Sequence, residues 1–154
     1  MIHFKSVTDE NINELMAIEN ACHTHPWTLE TMQSCLQGRY FNLAAFDDEQ
    51  MIGFYIGEKA GPDFTLMDIC VAPSFQGQGF AKQLLKQFIA YGEQHSAENL
   101  FLEVRKSNTR AIALYERAGF TEMSVRKNYY PSDAPNKNGF EDAILMGMAL
   151  GLNF

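Results

Sequence analysis

The sequence predicts an α/β protein built on one mixed sheet. Strand-like and helix-like segments follow one another in the order β-α-α-β-β-β-α-β-α-β-β, which is typical of a sheet with helices packed on it. With 154 residues, the chain is long enough for one domain with a substantial core, and we expect residues 1–154 to form a single domain. Apolar residues make up 46% and charged residues 20%, a composition that excludes a disordered or fibrous protein.

Each element of the first half is predicted by its own local signal. Alternating apolar and polar residues indicate strands, whereas apolar residues three or four apart behind a Ser or Thr cap indicate helices. A polar turn between two strand-like runs indicates a hairpin. These signals place a strand at 2–7, a helix after the N-cap Thr8, a helix from Thr28 to Gly38, and hairpin strands at 41–46 and 51–59.

The second half alternates strands with helices and ends in two strands. Its longest helix has one apolar face, which includes Leu84, Leu85 and Phe88, and lysines and glutamines on the opposite face. Ser107 is predicted to cap a later helix that ends at Gly119. The strands are predicted at 64–71, 100–104, 120–127 and 142–150, with a polar loop at 131–139.

Cysteine usage and hydropathy predict a cytoplasmic protein. Cys22, Cys35 and Cys70 are odd in number and widely spaced, which argues against a disulfide framework or a zinc ribbon. The N-terminus has no apolar run of a secretion signal, and no stretch of about 18 uncharged apolar residues occurs in the sequence. We therefore expect a reducing environment and no insertion into a membrane.

Charge is distributed unevenly along the chain. The net charge of −7 argues against a protein that binds nucleic acid by neutralising phosphates. Residues 1–70 hold three basic and eleven acidic side chains, whereas residues 71–130 hold eight basic and five acidic ones. The excess of basic side chains in residues 71–130 suits one compact anionic ligand, and the acidic segment 1–70 suits a cationic partner. Charges scattered on solvated faces are the alternative interpretation.

A glycine pair at the start of the longest predicted helix forms a candidate anion-binding loop. In Gln76-Gly77-Gln78-Gly79-Phe80-Ala81, the glycines leave backbone N–H groups uncovered at a helix N-terminus, where the macrodipole attracts phosphates. The loop lacks the Gly-Lys-Ser/Thr of a Walker motif, and Lys82 stands where a dinucleotide fingerprint has its third glycine. A tight strand-to-helix turn is the alternative explanation for the glycines.

Three polar side chains beyond the loop are candidates for binding and catalysis. Glu103 interrupts an apolar strand, and a carboxylate among buried neighbours is costly unless it is paired or catalytic. Asn108 lies where a helix begins, and Tyr115 returns to nearly the same helix face about 10 Å further along the axis. One extended ligand could contact both side chains. A helix-start hydrogen bond for Asn108 and a half-buried core position for Tyr115 are the alternatives.

The loop and the residues after it resemble the GCN5-related N-acetyltransferase (GNAT) superfamily, whose acetyl-CoA loop has the pattern Gln/Arg-x-x-Gly-x-Gly/Ala. Within that superfamily, the chain is most similar to the RimI family of bacterial ribosomal-protein-alanine N-acetyltransferases. The resemblance implies a GNAT fold, with a single mixed, mostly antiparallel sheet and helices on both faces. It lies in the motifs Leu102-Glu103-Val104-Arg105, Ser107-Asn108, Ala111-Ile112-Ala113-Leu114-Tyr115-Glu116, Gly119-Phe120, Arg126-x-Asn128-Tyr129-Tyr130-Pro131 and Glu141-Asp142-Ala143-Ile144.

The resemblance also implies a reaction and a set of site residues. Acetyl would pass directly from acetyl-CoA to the N-terminal alanine of a ribosomal protein, which in the family is small-subunit protein eighteen, without a metal. Glu103 matches the family's general base and Tyr115 its general acid. The cofactor-binding residues would be the backbone of Ile69, Cys70 and Val71 for the pantetheine arm and acetyl group, the amides of Gln76, Gly77, Gln78, Gly79, Phe80 and Ala81 for the pyrophosphate, and the side chain of Asn108.

Two other classes of function remain open from the sequence. A GNAT enzyme that acts on a small amine or a lysine would keep the loop, Glu103 and Tyr115 but lack a groove of the type Asn128-Tyr129-Tyr130. An inactive acyl-CoA-binding module would keep the loop and lack the base and the acid. The chain departs from the family pattern at 132–140 and at 147–154. The family's peptide groove is therefore not assigned to this chain in detail.

Three other groups of side chains are rival candidates for a functional site. Cys22, His23 and His25 offer metal-binding donors, but adjacent ligands without a distant fourth rarely form a tetrahedral site, so a helix-end loop is expected. Asp68 is a second carboxylate in an apolar strand and an alternative base, although its place in the strand alternation favours a structural hydrogen bond. Cys70 is a conceivable nucleophile, but no histidine is near it in the sequence, which argues against that role.

Overall fold

A computed structural model describes residues 1–132 and 139–151 of the chain. The elements follow the predicted order, with two short 3₁₀ turns added at Asp9–Asn11 and Pro73–Phe75. The strands are β1 (Ile2–Lys5), β2 (Tyr40–Asp47), β3 (Gln50–Ala60), β4 (Asp63–Val71), β5 (Asn99–Arg105), β6 (Thr121–Pro131) and β7 (Phe140–Ala149). The helices are α1 (Ile12–Cys22), α2 (Leu29–Ser34), α3 (Phe80–Gln94) and α4 (Thr109–Ala118).

The strands of the described residues form one sheet in the order β1-β2-β3-β4-β5-β7-β6. The pair β4 and β5 is parallel, and every other neighbouring pair is antiparallel. The predicted mixed, mostly antiparallel sheet is therefore confirmed. The predicted departures from the family at 132–140 and 147–154 lie partly outside the described residues, which omit 133–138 and 152–154.

Helices cover both faces of the sheet, as the resemblance implied. Helix α3 buries the predicted apolar face, including Phe88, in a core that it shares with α4. Helices α1 and α2 bury Leu15 and Met32 in a second core on the opposite face. Successive residues of β3 show the alternation between the two cores, because Phe54 belongs to the α1 side and Tyr55 to the α3 side.

The sheet divides where β4 and β5 separate. The parallel ladder between them joins four residue pairs and ends with Leu66 opposite Leu102. At the same level, the register between β3 and β4 shifts after Ile56 and leaves Met67 as an extra residue of β4. This bulge bends β4, and the residues of β4 beyond Leu66 have no partner on β5. An extended ligand can therefore add to this edge of β4.

Some local predictions are wrong. Helix α2 ends at Ser34, short of the predicted Gly38. Ser107 does not cap α4, because its hydroxyl donates a hydrogen bond to Glu141 Oε1 at 3.0 Å. The N-cap is Asn108, whose Oδ1 accepts a hydrogen bond from the N–H of Ala111 at 3.1 Å. Strand β6 also runs further than predicted, to Pro131, because it continues to pair with β7 beyond a register shift.

None of the helices in the described part of the chain is long and apolar enough to cross a membrane. Cys22, Cys35 and Cys70 are all free thiols, and Cys35 and Cys70 are buried.

Candidate active site

The glycine loop lies between β4 and α3, as predicted. Helix α3 begins at Phe80, and its N-cap Gly79 has a left-handed backbone with φ of +87°. Gly77 is left-handed as well, with φ of +78°. Only glycine adopts such angles without steric cost, which explains why two glycines stand here. The loop ends at the positive end of the dipole of a 15-residue helix, where a phosphate group is favoured.

Two side-chain contacts at the loop were not predicted from the sequence, although Gln76 itself was predicted to bind the cofactor through its backbone amide. Gln76 Nε2 donates a hydrogen bond to the carbonyl of Val71 at 2.9 Å and ties the loop to the end of β4. Arg110 on α4 lies against the loop, since its Nη2 is 4.0 Å from the position of a Cβ on Gly77. This guanidinium places a full positive charge beside the backbone donors. No local sequence signal relates Arg110 to the loop, because the contact depends on how α4 is placed.

The backbone of Ile69, Cys70 and Val71 forms the unpaired edge of β4. All three residues pair with β3 on one side and lie beyond the end of the β5 ladder on the other. A ligand with amide groups can hydrogen-bond to such an edge as an added strand does. Gly53 permits the close approach of β3, because a Cβ there would lie 2.7 Å from the carbonyl oxygen of Cys70.

Glu103 is half-buried, so the burial expected from its apolar strand is only partly correct. Its side chain is 24% exposed, and Oε2 lies 3.6 Å from Nε of Arg126 on β6. Oε2 itself is buried and has no hydrogen-bond partner among the described residues. The side chain points away from the buried Leu102 and Val104, because neighbouring residues of β5 alternate between faces. A carboxylate oxygen without a donor is available to accept a proton.

Tyr115 is buried in α4, with 6% of its surface exposed, and its ring contacts that of Phe120 edge to face. Burial raises the pKa of its hydroxyl above the ordinary value, and the charge of Asp68 and the neighbouring Tyr130 raise it further. The hydroxyl therefore keeps its proton at neutral pH and can act as a donor.

Asn108 lies on the surface at the start of α4, where its Oδ1 makes the cap described above. The helix-start hydrogen bond that was the alternative for this residue is thus present. The cap uses only the amide oxygen, so Nδ2 is the donor that a cofactor would contact. Its role in cofactor binding stays a prediction.

Aromatic and basic side chains line β6 beside Glu103. The guanidinium of Arg105 lies over the ring of Tyr130 at 4.6 Å, and that of Arg126 over the ring of Tyr129 at 5.3 Å. The two tyrosine rings meet edge to face with centroids 5.0 Å apart. Burial, together with the charge of Glu103, raises the pKa of Tyr130 to about 12. Glu103 therefore lies within electrostatic range of the predicted peptide groove.

A cluster of five polar side chains joins the end of α1 to β4. His23 Nε2 is 2.9 Å from both Asp68 Oδ1 and Cys70 Sγ. Cys70 Sγ also lies 3.3 Å from Glu19 Oε1 and within 4.8 Å of Cys22 Sγ. Although no histidine is near Cys70 in the sequence, the fold places His23 beside it. The expectation that the donors at the end of α1 lack a distant partner is wrong, because His23 contacts Asp68 and Cys70 on β4. We call these five residues the α1–β4 cluster.

The α1–β4 cluster contains opposite charges. The hydrogen bond between His23 and Asp68 raises the pKa of His23 to about 9. Burial acts to raise the pKa of Asp68, but hydrogen bonds from His23 and Glu19 outweigh burial and lower it. The structural hydrogen bond expected for Asp68 is thus present, as an ion pair. Burial raises the pKa of the Cys70 thiol, which keeps it protonated and a poor nucleophile.

Comparison with known sequences identifies the family. The model of the acetyltransferase (GNAT) family matches residues 12–120, and the chain belongs to this family. The ribosomal protein bS18-alanine N-acetyltransferase of Haemophilus ducreyi is 35% identical to it over 95% of this chain and 99% of its own length. The enzyme of the same name from Escherichia coli K12 is 38% identical over 88% of each chain.

Solved structures agree with this assignment. The crystal structure of the ribosomal-protein-S18-alanine N-acetyltransferase from Escherichia coli matches with a TM-score of 0.91 at 36% identity, over 100% of this chain and 99% of that one. A Bacillus subtilis acetyltransferase in complex with CoA matches at 20% identity with a TM-score of 0.82, over 98% of this chain and 100% of its own. The GNAT fold expected from the sequence is therefore confirmed.

The glycine loop provides a direct test of phosphate binding. Valine at position 79 would hold a left-handed backbone that β-branched residues resist, although nothing lies within 4 Å of the added Cβ. We expect Gly79→Val to raise the acetyl-CoA dissociation constant at least about tenfold, which is about 1.4 kcal/mol, with modest loss of stability. Isothermal titration calorimetry measures the affinity, and thermal unfolding measures the stability.

Gly61→Val is the matched control for this variant. Gly61 is also left-handed, with φ of +61° and nothing within 4 Å of an added Cβ, but it lies at the opposite end of β4. It should show the same backbone strain and an unchanged acetyl-CoA affinity. Unchanged affinity in Gly79→Val as well would show that the loop does not hold the phosphates.

Proposed function

We propose that the protein transfers the acetyl group of acetyl-CoA to the N-terminal alanine of ribosomal protein bS18, in the cytoplasm. The observation that carries this proposal is the full-length similarity to enzymes of that name, at 35% to 39% identity. A family resemblance limited to the cofactor loop would support only an acetyltransferase of undefined acceptor. Here the similarity spans the acceptor side of the fold as well, and the whole chain would act as one acetyltransferase domain.

Acetyl-CoA would bind along the edge where the sheet divides. The backbone amides from Gln76 to Ala81 would hold the pyrophosphate, with Arg110 adding charge beside Gly77. The pantetheine arm would extend along the free edge of β4 and place the acetyl group near Val71. Basic side chains outnumber acidic ones in the segment 71–130, as an anionic cofactor requires.

The reaction needs one group to take a proton and one to give a proton. Glu103, directly or through a water molecule, would accept a proton from the α-amine as its nitrogen attacks the thioester carbonyl. A backbone N–H on the β4 edge would stabilise the oxyanion. As the carbon–sulfur bond breaks, Tyr115 would donate its proton to the CoA thiolate. Acetyl thus moves directly from sulfur to nitrogen through a tetrahedral intermediate, without an acetylated enzyme.

The acceptor's α-amine suits a site with a single half-buried base. An α-amino group has a pKa of about 7.7 to 8.0, against about 10.4 for lysine, so roughly a tenth of N-termini are already neutral at pH 7. The tyrosines of β6 would line the peptide groove beside Glu103, in agreement with the motif that carries the family resemblance. The acidic segment 1–70 would attract a basic ribosomal protein.

The test is acetylation of a peptide that begins with the N-terminal sequence of bS18 and contains lysines. We expect one acetyl group, on the α-amine of the first alanine. The side chain of alanine is small, and its α-amine is far less protonated at neutral pH than the amines of the lysines. Fragmentation mass spectrometry locates the acetyl group. The control is the same peptide with a formylated N-terminus, which should not react. Acetylation of lysines in either peptide would instead favour a lysine or small-amine acetyltransferase.

A further inference from the structure

The α1–β4 cluster contains donors that acetyl transfer does not use. It places two thiols, an imidazole and two carboxylates between the end of one helix and the middle of the sheet. We propose that it binds a divalent cation of the Zn²⁺ class, with Cys22 Sγ, His23 Nε2, Cys70 Sγ and a carboxylate oxygen of Asp68 as ligands. The proposal does not depend on the identity of the acetyl acceptor.

Two overlapping groups of donors meet at His23 and Cys70. The donor atoms of Cys22, His23 and Cys70 lie within 4.8 Å of one another, and so do those of Glu19, His23, Asp68 and Cys70. Cys22 and Asp68 belong to different groups, so these two side chains must move closer together when the ion binds. Bonds of about 2.0 to 2.3 Å separate the ligand atoms of tetrahedral zinc by roughly 3.3 to 3.8 Å. The distances of Cys70 Sγ, 2.9 Å to His23 Nε2 and 3.4 Å to Asp68 Oδ1, need only small side-chain rotations to reach that range.

An unsatisfied oxygen within the cluster supports the same conclusion independently. Asp68 is 8% exposed, and its Oδ2 is buried without a hydrogen-bond partner among the described residues. A buried carboxylate oxygen without a partner is costly, and a cation would satisfy it. Glu19 is the less suitable carboxylate, because its Oε2 already accepts a hydrogen bond from the N–H of Trp27 at 2.9 Å. Glu19 would remain a hydrogen-bonding neighbour of the ligands.

The donor types select the cation. Thiolate and imidazole ligands suit Zn²⁺ and Co²⁺, whereas Mg²⁺ and Ca²⁺ require a shell of oxygen atoms. The side chain of His23 is 37% exposed and Cys22 is partly exposed, so the ion can enter from solvent. On binding, Cys22 and Cys70 would coordinate as thiolates and His23 Nε2 as a neutral imidazole nitrogen, and the protons that these groups hold would pass to solvent. The bound ion would fix the end of α1 against β4.

Titration of the reduced, metal-free protein with Co²⁺ alone tests the proposal. We expect one ion per chain, an absorption band from thiolate-to-cobalt charge transfer, and displacement of Co²⁺ by Zn²⁺. Binding to the folded state should also raise the thermal midpoint in proportion to the logarithm of free Zn²⁺. Neither readout depends on acetyltransferase activity, so failure here and failure of the acceptor assay are distinguishable.

Substitutions identify the ligands. Cys22→Ser should weaken Zn²⁺ binding by at least 10- to 100-fold and reduce the charge-transfer band, and Asp68→Asn should weaken it by about tenfold. Cys35→Ser is the matched control, because Cys35 is a buried free thiol of the same core that lies outside the cluster. If Cys22→Ser does not fold, His23→Gln at the partly exposed ligand replaces it. Binding that is absent in the wild type, or equal in Cys22→Ser and wild type, would overturn the proposal.

Discussion

Glu103→Gln is expected to lower kcat by a factor of about 10² to 10⁴, the range for loss of a general base. Glutamine keeps the size of the side chain but cannot accept the proton of the α-amine. The ion pair with Arg126 is long, at 3.6 Å, so its loss should change the free energy of unfolding only slightly. Acetyl-CoA affinity should stay near that of the wild type. Steady-state kinetics with the alanine peptide, together with calorimetric titration of acetyl-CoA, measure both effects.

Two further variants make this result specific. Glu116→Gln introduces the same chemical change on the exposed face of α4 and should leave kcat unchanged. Asp68→Asn replaces the alternative base, and we expect a milder loss because Asp68 is already ion-paired with His23 at 2.9 Å. Assays contain a chelator, so that a cation on the α1–β4 cluster does not contribute. Abolished turnover in Asp68→Asn with near-normal turnover in Glu103→Gln would assign the base to Asp68.

Local signals were sufficient to predict the order of the elements. The apolar face of α3 depends on residues three and four apart, and Leu84, Leu85 and Phe88 are all buried as that spacing predicts. The choice of cap for α4 could not be made locally, because Ser107 and Asn108 are adjacent residues of equally suitable type. The hydroxyl of Ser107 donates a hydrogen bond to Glu141 on β7, which leaves Asn108 as the cap. That contact depends on how the sheet is assembled.

The bulge at Met67 explains why the cofactor loop was predictable and the α1–β4 cluster was not. The glycine loop has its whole signature in six consecutive residues. Simple alternation along β4 would place Asp68 and Cys70 on the same face as Leu66, toward α3. The extra residue reverses the alternation, so that Leu66 packs toward α3 and Cys70 toward α1 and His23. The extra residue Met67 thus leaves the edge of β4 unpaired for the cofactor and turns Cys70 toward His23. No local sequence pattern predicts this bulge.

Tyr115→Phe is expected to lower kcat by a factor of about 10² or more, since the CoA thiolate would lose its proton donor. Phenylalanine fills the same space against Phe120, so stability and acetyl-CoA affinity should change little. Because burial raises the pKa of the Tyr115 hydroxyl, it stays protonated from neutral to mildly alkaline pH, and wild-type kcat should show no alkaline decline from this group.

Tyr91→Phe is the control, since the ring of Tyr91 stacks on Phe41 at 3.9 Å in the α3 core and its hydroxyl should not affect turnover. Equal kcat in Tyr115→Phe and Tyr91→Phe, measured from pH 6.5 to about 9, the range around the α-amino pKa, would show that water protonates the leaving thiolate.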